Sequence, residues 1–144
     1  MITDREMTFS NDQAVTTGTQ VSTDKYDCGI GGININTNRE LQVFVSVTTA
    51  FAGGTNLTVN LVESASADLS SPTVLVTSGA VAEASLTAGA VLLRTAVPRT
   101  SKRYLGLQFV SSGTHSAGTI FGGIVRDTDT PTSALPAYET GYAE

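Results

Sequence analysis

The chain has 144 residues and a net charge of −5, which fits one domain without the basic face that nucleic-acid binding requires. One cysteine excludes an internal disulfide, and one cysteine with one histidine cannot supply the four or so nitrogen or sulfur ligands of a zinc site. No apolar run approaches the ~20 residues that span a bilayer, and the first residues lack the basic and apolar regions of a signal peptide. We therefore expect no membrane span, no signal peptide and no cofactor.

The composition favours an all-β fold. The chain contains 22 threonines, 14 serines and 14 glycines, and only 15% of its residues are charged. Threonine and valine suit a pleated, half-buried surface, and glycine suits tight turns. So few charges are unusual for a free monomer, because surface charge prevents association, and they are more typical of a subunit inside an assembly.

The first half of the chain is predicted to contain three or more strands. Short strands are expected at Glu6–Ser10 and Val21–Cys28. The clearest alternation of apolar and polar residues covers Leu41–Thr48, and a similar pattern covers Asn56–Val62. Because Ala52–Thr55 between them contains two glycines, the pattern predicts a hairpin.

The second half continues in the same way. Further strands are predicted at Thr73–Thr77, Val81–Leu86 and Val91–Val97. Lys102–Val110 and Thr119–Val125 are predicted to form another hairpin, since Ser111–Gly118 is rich in residues that break strands. Gly122 and Gly123 within the last strand indicate a bulge or the close approach of another backbone. About eight short antiparallel strands predict a single-domain β-sandwich of the jelly-roll kind, over residues 1–127.

Residues 128–144 differ from the rest of the chain. This segment is acidic, contains Pro131 and Pro136, and has no basic residue. It is either a disordered tail or an extended arm that lies on a neighbouring subunit. In the second case Leu135, Tyr138 and Tyr142 would be its apolar anchors.

Residues with catalytic or binding chemistry are few and isolated. His115 is expected to be exposed in the predicted loop, without a serine nucleophile fixed beside it. Cys28 is expected to be a buried apolar residue. The glycines of segment 29–32 lack the following helix of a phosphate-binding loop, and Asp24 with Asp27 supply too few oxygens for calcium. We therefore expect no enzyme activity.

Three segments resemble a known family. The first is Met7-Thr8-Phe9-Ser10-Asn11-Asp12-Gln13-Ala14-Val15-Thr16, followed by Asp27-Cys28-Gly29. The second is Ala82 to Gly89, followed by a strand that ends at Pro98. The third is Lys102 to Leu107, which leads into Gly123-Ile124-Val125. In sequence, order and length they resemble the capsid cement proteins of tailed bacteriophages, the Bbp16-like family.

This resemblance implies a jelly-roll sandwich on the outer surface of the virion head, made in the host cytoplasm. Its partner would be the major capsid protein, and its role would be to stabilise the expanded, DNA-filled shell. A homodimer is expected, with a homotrimer as the alternative, and no nucleic acid or membrane is expected to bind. The residues expected to contact the capsid or another subunit are Phe9, Gln13, Val15, Arg99, Arg103, Leu135 and Tyr138.

A β-sandwich that binds carbohydrate or a host surface is the alternative function. Flat sugar-binding faces usually expose tryptophan or tyrosine, whereas this chain has no tryptophan and four tyrosines. A cupin-like metalloenzyme would need several histidines, and the chain has one.

Overall fold

The computed structural model describes residues 2–30 and 41–126. These residues form seven β-strands and one short turn of 3₁₀ helix, Glu83–Ser85. The strands are β1 (Ile2–Ala14), β2 (Thr17–Val21), β3 (Tyr26–Asp27), β4 (Leu41–Ser64), β5 (Thr73–Ala82), β6 (Val91–Ala96) and β7 (Tyr104–Arg126). The prediction of an all-β fold is therefore confirmed.

Two very long strands organise the fold. β4 and β7 pair antiparallel along their whole length, from Leu41 opposite Arg126 to Ser64 opposite Tyr104. The pairing shifts register between Val47 and Asn56, halfway along β4. The two predicted hairpins, Leu41–Thr48 with Asn56–Val62 and Lys102–Val110 with Thr119–Val125, are therefore wrong. Each pair of predicted strands is one continuous strand, and the predicted turns are bends within it.

The bends fold the hydrogen-bonded sheet onto itself and create two layers. Sheet I contains β1, the second half of β7, the first half of β4, and β6. Sheet II contains β2 and β3, the first half of β7, the second half of β4, and β5. For comparison with known sandwiches, each half of β4 and of β7 counts as one segment, and β2 and β3 together count as one. The eight segments that result are distributed between the two sheets in the order of a jelly roll. The predicted jelly-roll sandwich is consistent with this topology.

The core lies between the two sheets. Along β4, the buried residues Val43 and Val45 of sheet I alternate with less buried ones, and in sheet II the buried residues Leu57 and Val59 flank the less buried Thr58. The layers touch at Gly122 of sheet I, where an added Cβ would lie 2.5 Å from a methyl group of Leu107 in sheet II. The buried apolar cluster consists of Phe9, Val15, Cys28, Val43, Val45, Val47, Phe51, Leu57, Val59, Leu61, Leu86, Leu93, Val97, Leu105, Leu107, Phe109, Ile120 and Ile124.

Shorter elements depart from the prediction in three places. The predicted strand Val21–Cys28 is interrupted between β2 and β3, where Asp24 N–H donates to the carbonyl of Phe9. Ser78-Gly79, predicted to end a strand, is instead a bulge inside β5, because Ser78 Oγ accepts the N–H of Val59 and the strand continues. The predicted strand Val81–Leu86 gives way to the 3₁₀ turn, whereas Val91–Val97 is confirmed as β6.

The prediction for Gly122 and Gly123 is confirmed in both of its alternatives. Register shifts between β1 and β7 fall between Thr3, Thr8 and Ser10, so β1 contains extra residues there. An added Cβ at Gly123 would lie 2.7 Å from the carbonyl oxygen of Met7. The bulged part of β1 therefore passes close over the outer side of sheet I, and only glycine leaves it room.

Candidate functional site

The single cysteine and the single histidine of the chain are both buried. Residues 2–30 and 41–126 contain no group of three histidine, cysteine or acidic side chains that could hold a metal ion. Cys28 is 1% exposed, which confirms its expected burial. Within residues 2–30 and 41–126, no helix has the length and apolar character needed to cross a membrane.

His115 is buried, and its predicted position in an exposed loop is wrong. Its side chain is 2% exposed, and its ring meets the Phe51 ring edge-on, with 4.9 Å between centroids. An added Cβ at Gly54 would lie 2.1 Å from the imidazole, so His115 fills the space above that glycine. Neither ring nitrogen has a hydrogen-bond partner among the described residues, which excludes a base positioned on a serine there. The prediction failed because Ser111–Gly118 is a bend inside β7.

Three of the expected contact residues face inward or brace their own subunit. Phe9 and Val15 are 0% and 1% exposed within the core, so their side chains are not presented to a partner. Gln13 is partly buried and ties β1 to the segment after β2. Its Oε1 accepts from Ser10 Oγ at 2.6 Å and from Thr23 N–H at 2.9 Å, and its Nε2 donates to the Val21 carbonyl at 2.8 Å. Leu135 and Tyr138 lie outside the described residues.

The basic loop between β6 and β7 is engaged largely with its own chain. Arg103 forms a bidentate pair with Asp27, with nitrogen–oxygen distances of 2.9 and 2.8 Å, and its guanidinium lies 5.1 Å from the centroid of the Tyr104 ring. The hydrogen bond from Arg103, helped by the Gly29 N–H, lowers the pKa of Asp27 to about 2. Arg99 is exposed. Both expected basic contacts are thus exposed, and Arg103 is held in an ion pair with its own chain.

Glu63 anchors this same loop from the end of β4. Its carboxylate is 4% exposed and accepts from Ser101 N–H at 2.7 Å, Ser101 Oγ at 2.7 Å and Lys102 N–H at 3.1 Å. Burial raises the pKa of Glu63, but these hydrogen bonds outweigh burial and hold the pKa below its usual range. No local sequence pattern indicates this role of Glu63, because Ser101 and Lys102 are almost 40 residues away.

We expect Glu63→Gln to remove a pH-dependent part of the stability. Because the folded-state pKa is lowered, ionised Glu63 stabilises the fold above about pH 4.5, and this contribution is lost as the pH falls below that value. Urea unfolding should show the variant about 1–3 kcal/mol less stable at pH 7, with a smaller difference at pH 3.5. The exposed carboxyl of Glu6 provides the control, Glu6→Gln. Equal differences at both pH values would contradict the account.

The outer side of sheet I carries two aromatic residues that the sequence analysis missed. Phe44 of β4 and Phe121 of β7 alternate with buried neighbours, so they point away from sheet II. Neither belongs to the core cluster or to the partly buried residues packed against it. Ser46 pairs with Phe121 and Phe44 pairs with Gly123, which makes the two phenylalanines diagonal neighbours on one face. Both phenylalanines could have been noticed in the sequence, because each occupies a strand position where the alternation predicts a polar residue.

A polar groove borders this face at Phe121. The groove has a volume of about 590 Å³ and is also lined by Thr3, Arg5, Thr8, Asn11 and Asp24. Arg5 is exposed, and it forms no ion pair within residues 2–30 and 41–126. The aromatic ring of Phe121, the guanidinium of Arg5 and the carboxylate of Asp24 therefore line one groove. We call the surface formed by Phe44, Phe121, Arg94 and Arg5 the Phe44–Phe121 face.

Comparison with protein families gives a match across the sandwich. The sequence model of the Bbp16 family, a phage-associated family, matches residues 9–124, from the core residue Phe9 to the core residue Ile124. A comparison with curated proteins finds no match. The matched range covers about four-fifths of the chain, and its end points lie on strands β1 and β7, which are neighbours in sheet I. The chain therefore belongs to the Bbp16 family.

Proposed function

We propose that this chain is a structural protein of the phage virion that binds the outer surface of the head and cements neighbouring major capsid protein subunits. The observation that carries the proposal is the family match over the sandwich, because Bbp16 is a phage-associated family. The chain's low content of charged residues is consistent with a subunit that works within an assembly.

The architecture suits such a mechanical role. β4 and β7 each run through both layers, so a pull on one sheet is transmitted along covalent backbone to the other. A cement protein that binds only the assembled, expanded shell stabilises that form by mass action. A homodimer, with a homotrimer as the alternative, would attach to more than one capsid subunit and would raise the effective concentration of each further contact.

Co-sedimentation tests the proposal. Purified protein is mixed with expanded heads of the encoding phage that lack it, pelleted, and quantified, while light scattering gives its mass in solution. We expect saturable pelleting at a fixed ratio to capsid subunits and heads that withstand a higher temperature. No pelleting would contradict the proposal, and a positive glycan-binding screen in that case would favour the alternative of a carbohydrate-binding or host-adhesion module.

A further inference from the structure

We propose that the edge of sheet II formed by β5 pairs antiparallel with the same edge of a second copy of this chain, about a two-fold axis. Sheet II then continues from one subunit into the other. The inference rests on the proposed function, in which a homodimer is expected, and adds to it the surface through which the two subunits bind. It is carried by the pairing of the edge strands and by the composition of β5.

Each sheet ends in strands that are paired on one side only within residues 2–30 and 41–126. The edge strands of sheet I are β1 and β6. In sheet II, β2 with β3 form one edge and β5 forms the other. An edge strand presents backbone N–H and carbonyl groups to which a further strand can bond. The protection of each edge therefore decides which one can pair with another chain.

Three of these four edges are protected against such pairing. β1 contains four charged residues and three register shifts. β6 has six residues and carries Arg94 within them. β2 and β3 have five and two residues, and Gln13 Nε2 donates to the carbonyl of Val21 at the end of β2. Charge, shortness and irregularity are the usual protections of natural edge strands.

β5 has neither charge nor shortness to protect it. Its ten residues include no charged residue and no proline, and most are small or β-branched, which favours strand pairing. Val74 is 49% exposed, and Leu75 and Val76 are partly buried. A second copy of β5 is an uncharged strand of the same kind, so neither strand places a charge in the contact. The edge therefore fits its own copy.

A bulge divides β5 without closing the whole edge. Gly79 N–H donates to Thr77 Oγ1 at 3.1 Å, and Ser78 Oγ donates to the Gly79 carbonyl at 2.8 Å, so these backbone groups are bonded to side chains. Residues 73–77 and 80–82 of the strand lie on either side of the bulge. In an antiparallel pair of identical strands, the first of these segments lies opposite the second segment of the other copy, and the two bulges lie near the axis.

The charged groups beside β5 lie at its two ends. Lys102 Nζ donates to Thr73 Oγ1 at 2.6 Å at the beginning of the strand, where Glu63 of β4 is buried. Glu83 follows the end of the strand, and its Oε1 accepts the N–H of Gly53 at 3.0 Å. An antiparallel copy brings the Lys102 end of one subunit to the Glu83 end of the other, whereas a parallel copy would bring equal ends together. Two-fold pairing also closes the assembly at two subunits, because each copy has one β5 edge.

Light scattering of the purified full chain tests the pairing, with two valine variants as a matched pair. Val74 on β5 and Val91 on β6 are both edge-strand residues, and they are 49% and 51% exposed. We expect the unchanged protein to have twice the chain mass of 14.9 kDa. Val74→Lys puts a charge on the uncharged edge and should raise the dissociation constant of the dimer at least tenfold. Val91→Lys should change it less than twofold. Circular dichroism establishes that both variants fold.

Amide hydrogen exchange of the unchanged protein provides a test that needs no variant. At concentrations above the dissociation constant, the amides of residues 73–77 should exchange at least tenfold more slowly than at concentrations below it. The amides of β6 should exchange equally at both. This measurement decides if Val74→Lys does not fold.

The outcomes separate this inference from the proposed function. A trimeric mass overturns the inference, and so does a monomeric mass at every concentration measured. A monomer with protected β5 amides would show that the chain covers this edge itself. A dimer that Val74→Lys leaves intact, or that Val91→Lys weakens as much, also overturns the pairing. If monomers pellet with heads, the inference fails and the cementing function stands. If a β5 dimer forms but does not pellet with heads, the pairing stands and the proposed function fails.

Discussion

Replacing Gly118 by alanine is expected to remove about 3–5 kcal/mol from the free energy of unfolding. Gly118 lies at the bend of β7 with a φ of 137°, which L side chains rarely adopt. An added Cβ would lie 2.4 Å from Phe51, whose ring is 7% exposed and packs against His115. Backbone strain and steric overlap therefore act together. Urea unfolding followed by circular dichroism measures the loss.

Gly89→Ala separates these two causes. Gly89 has a φ of 87° in the turn before β6, and nothing lies within 4 Å of an added Cβ. Its substitution should cost about 1–2 kcal/mol from backbone strain alone. If Gly118→Ala is no more destabilising than Gly89→Ala, then the packing of Phe51 and His115 does not hold the bend, and this part of the account is wrong.

Phe109→Ala is expected to cost about 3–5 kcal/mol, because it leaves a cavity between the sheets. Phe109 is 0% exposed on the inner side of sheet II and is among the largest fully buried side chains. Since small domains are stable by only about 5–15 kcal/mol, the variant should unfold at a clearly lower temperature and urea concentration. Differential scanning calorimetry and urea unfolding measure both.

The matched control is Phe121→Ala on the same strand. Phe121 is partly exposed and faces away from the core, so we expect its truncation to cost about 1 kcal/mol or less. Truncation of the two phenylalanines of β7 should thus differ clearly in its cost to stability. A loss at Phe121 as large as that at Phe109 would contradict the assignment of Phe121 to the outer face.

Alternation of apolar and polar residues was sufficient to locate most strands but not to connect them. Val43, Val45 and Val47 are buried as predicted, and so are Leu57, Val59 and Leu61. The segment between these runs contains Gly53, with a φ of 87°, which is equally suited to a hairpin turn and to a bend. The continuous β4 is decided by its pairing with β7, about 60 residues away, which local pattern does not report. The same cause placed His115 in a loop.

Surface residues were harder to predict than strands, because a family resemblance does not distinguish residues kept for packing from those kept for binding. Phe9 and Val15 occur in a motif that resembles the family, yet both are core residues. Phe44 and Phe121 were detectable as apolar residues at positions where the strand pattern calls for polar ones. The pairing of Glu63 with the loop before β7 was not, since it depends on the tertiary fold.

Cryo-electron microscopy of heads reconstituted with this protein tests the central claim most directly. The account predicts density for a two-layered β-sandwich on the outer surface of the shell, in contact with at least two major capsid protein subunits. Heads without added density, or with density only at the tail or the portal vertex, would contradict the proposed cementing function.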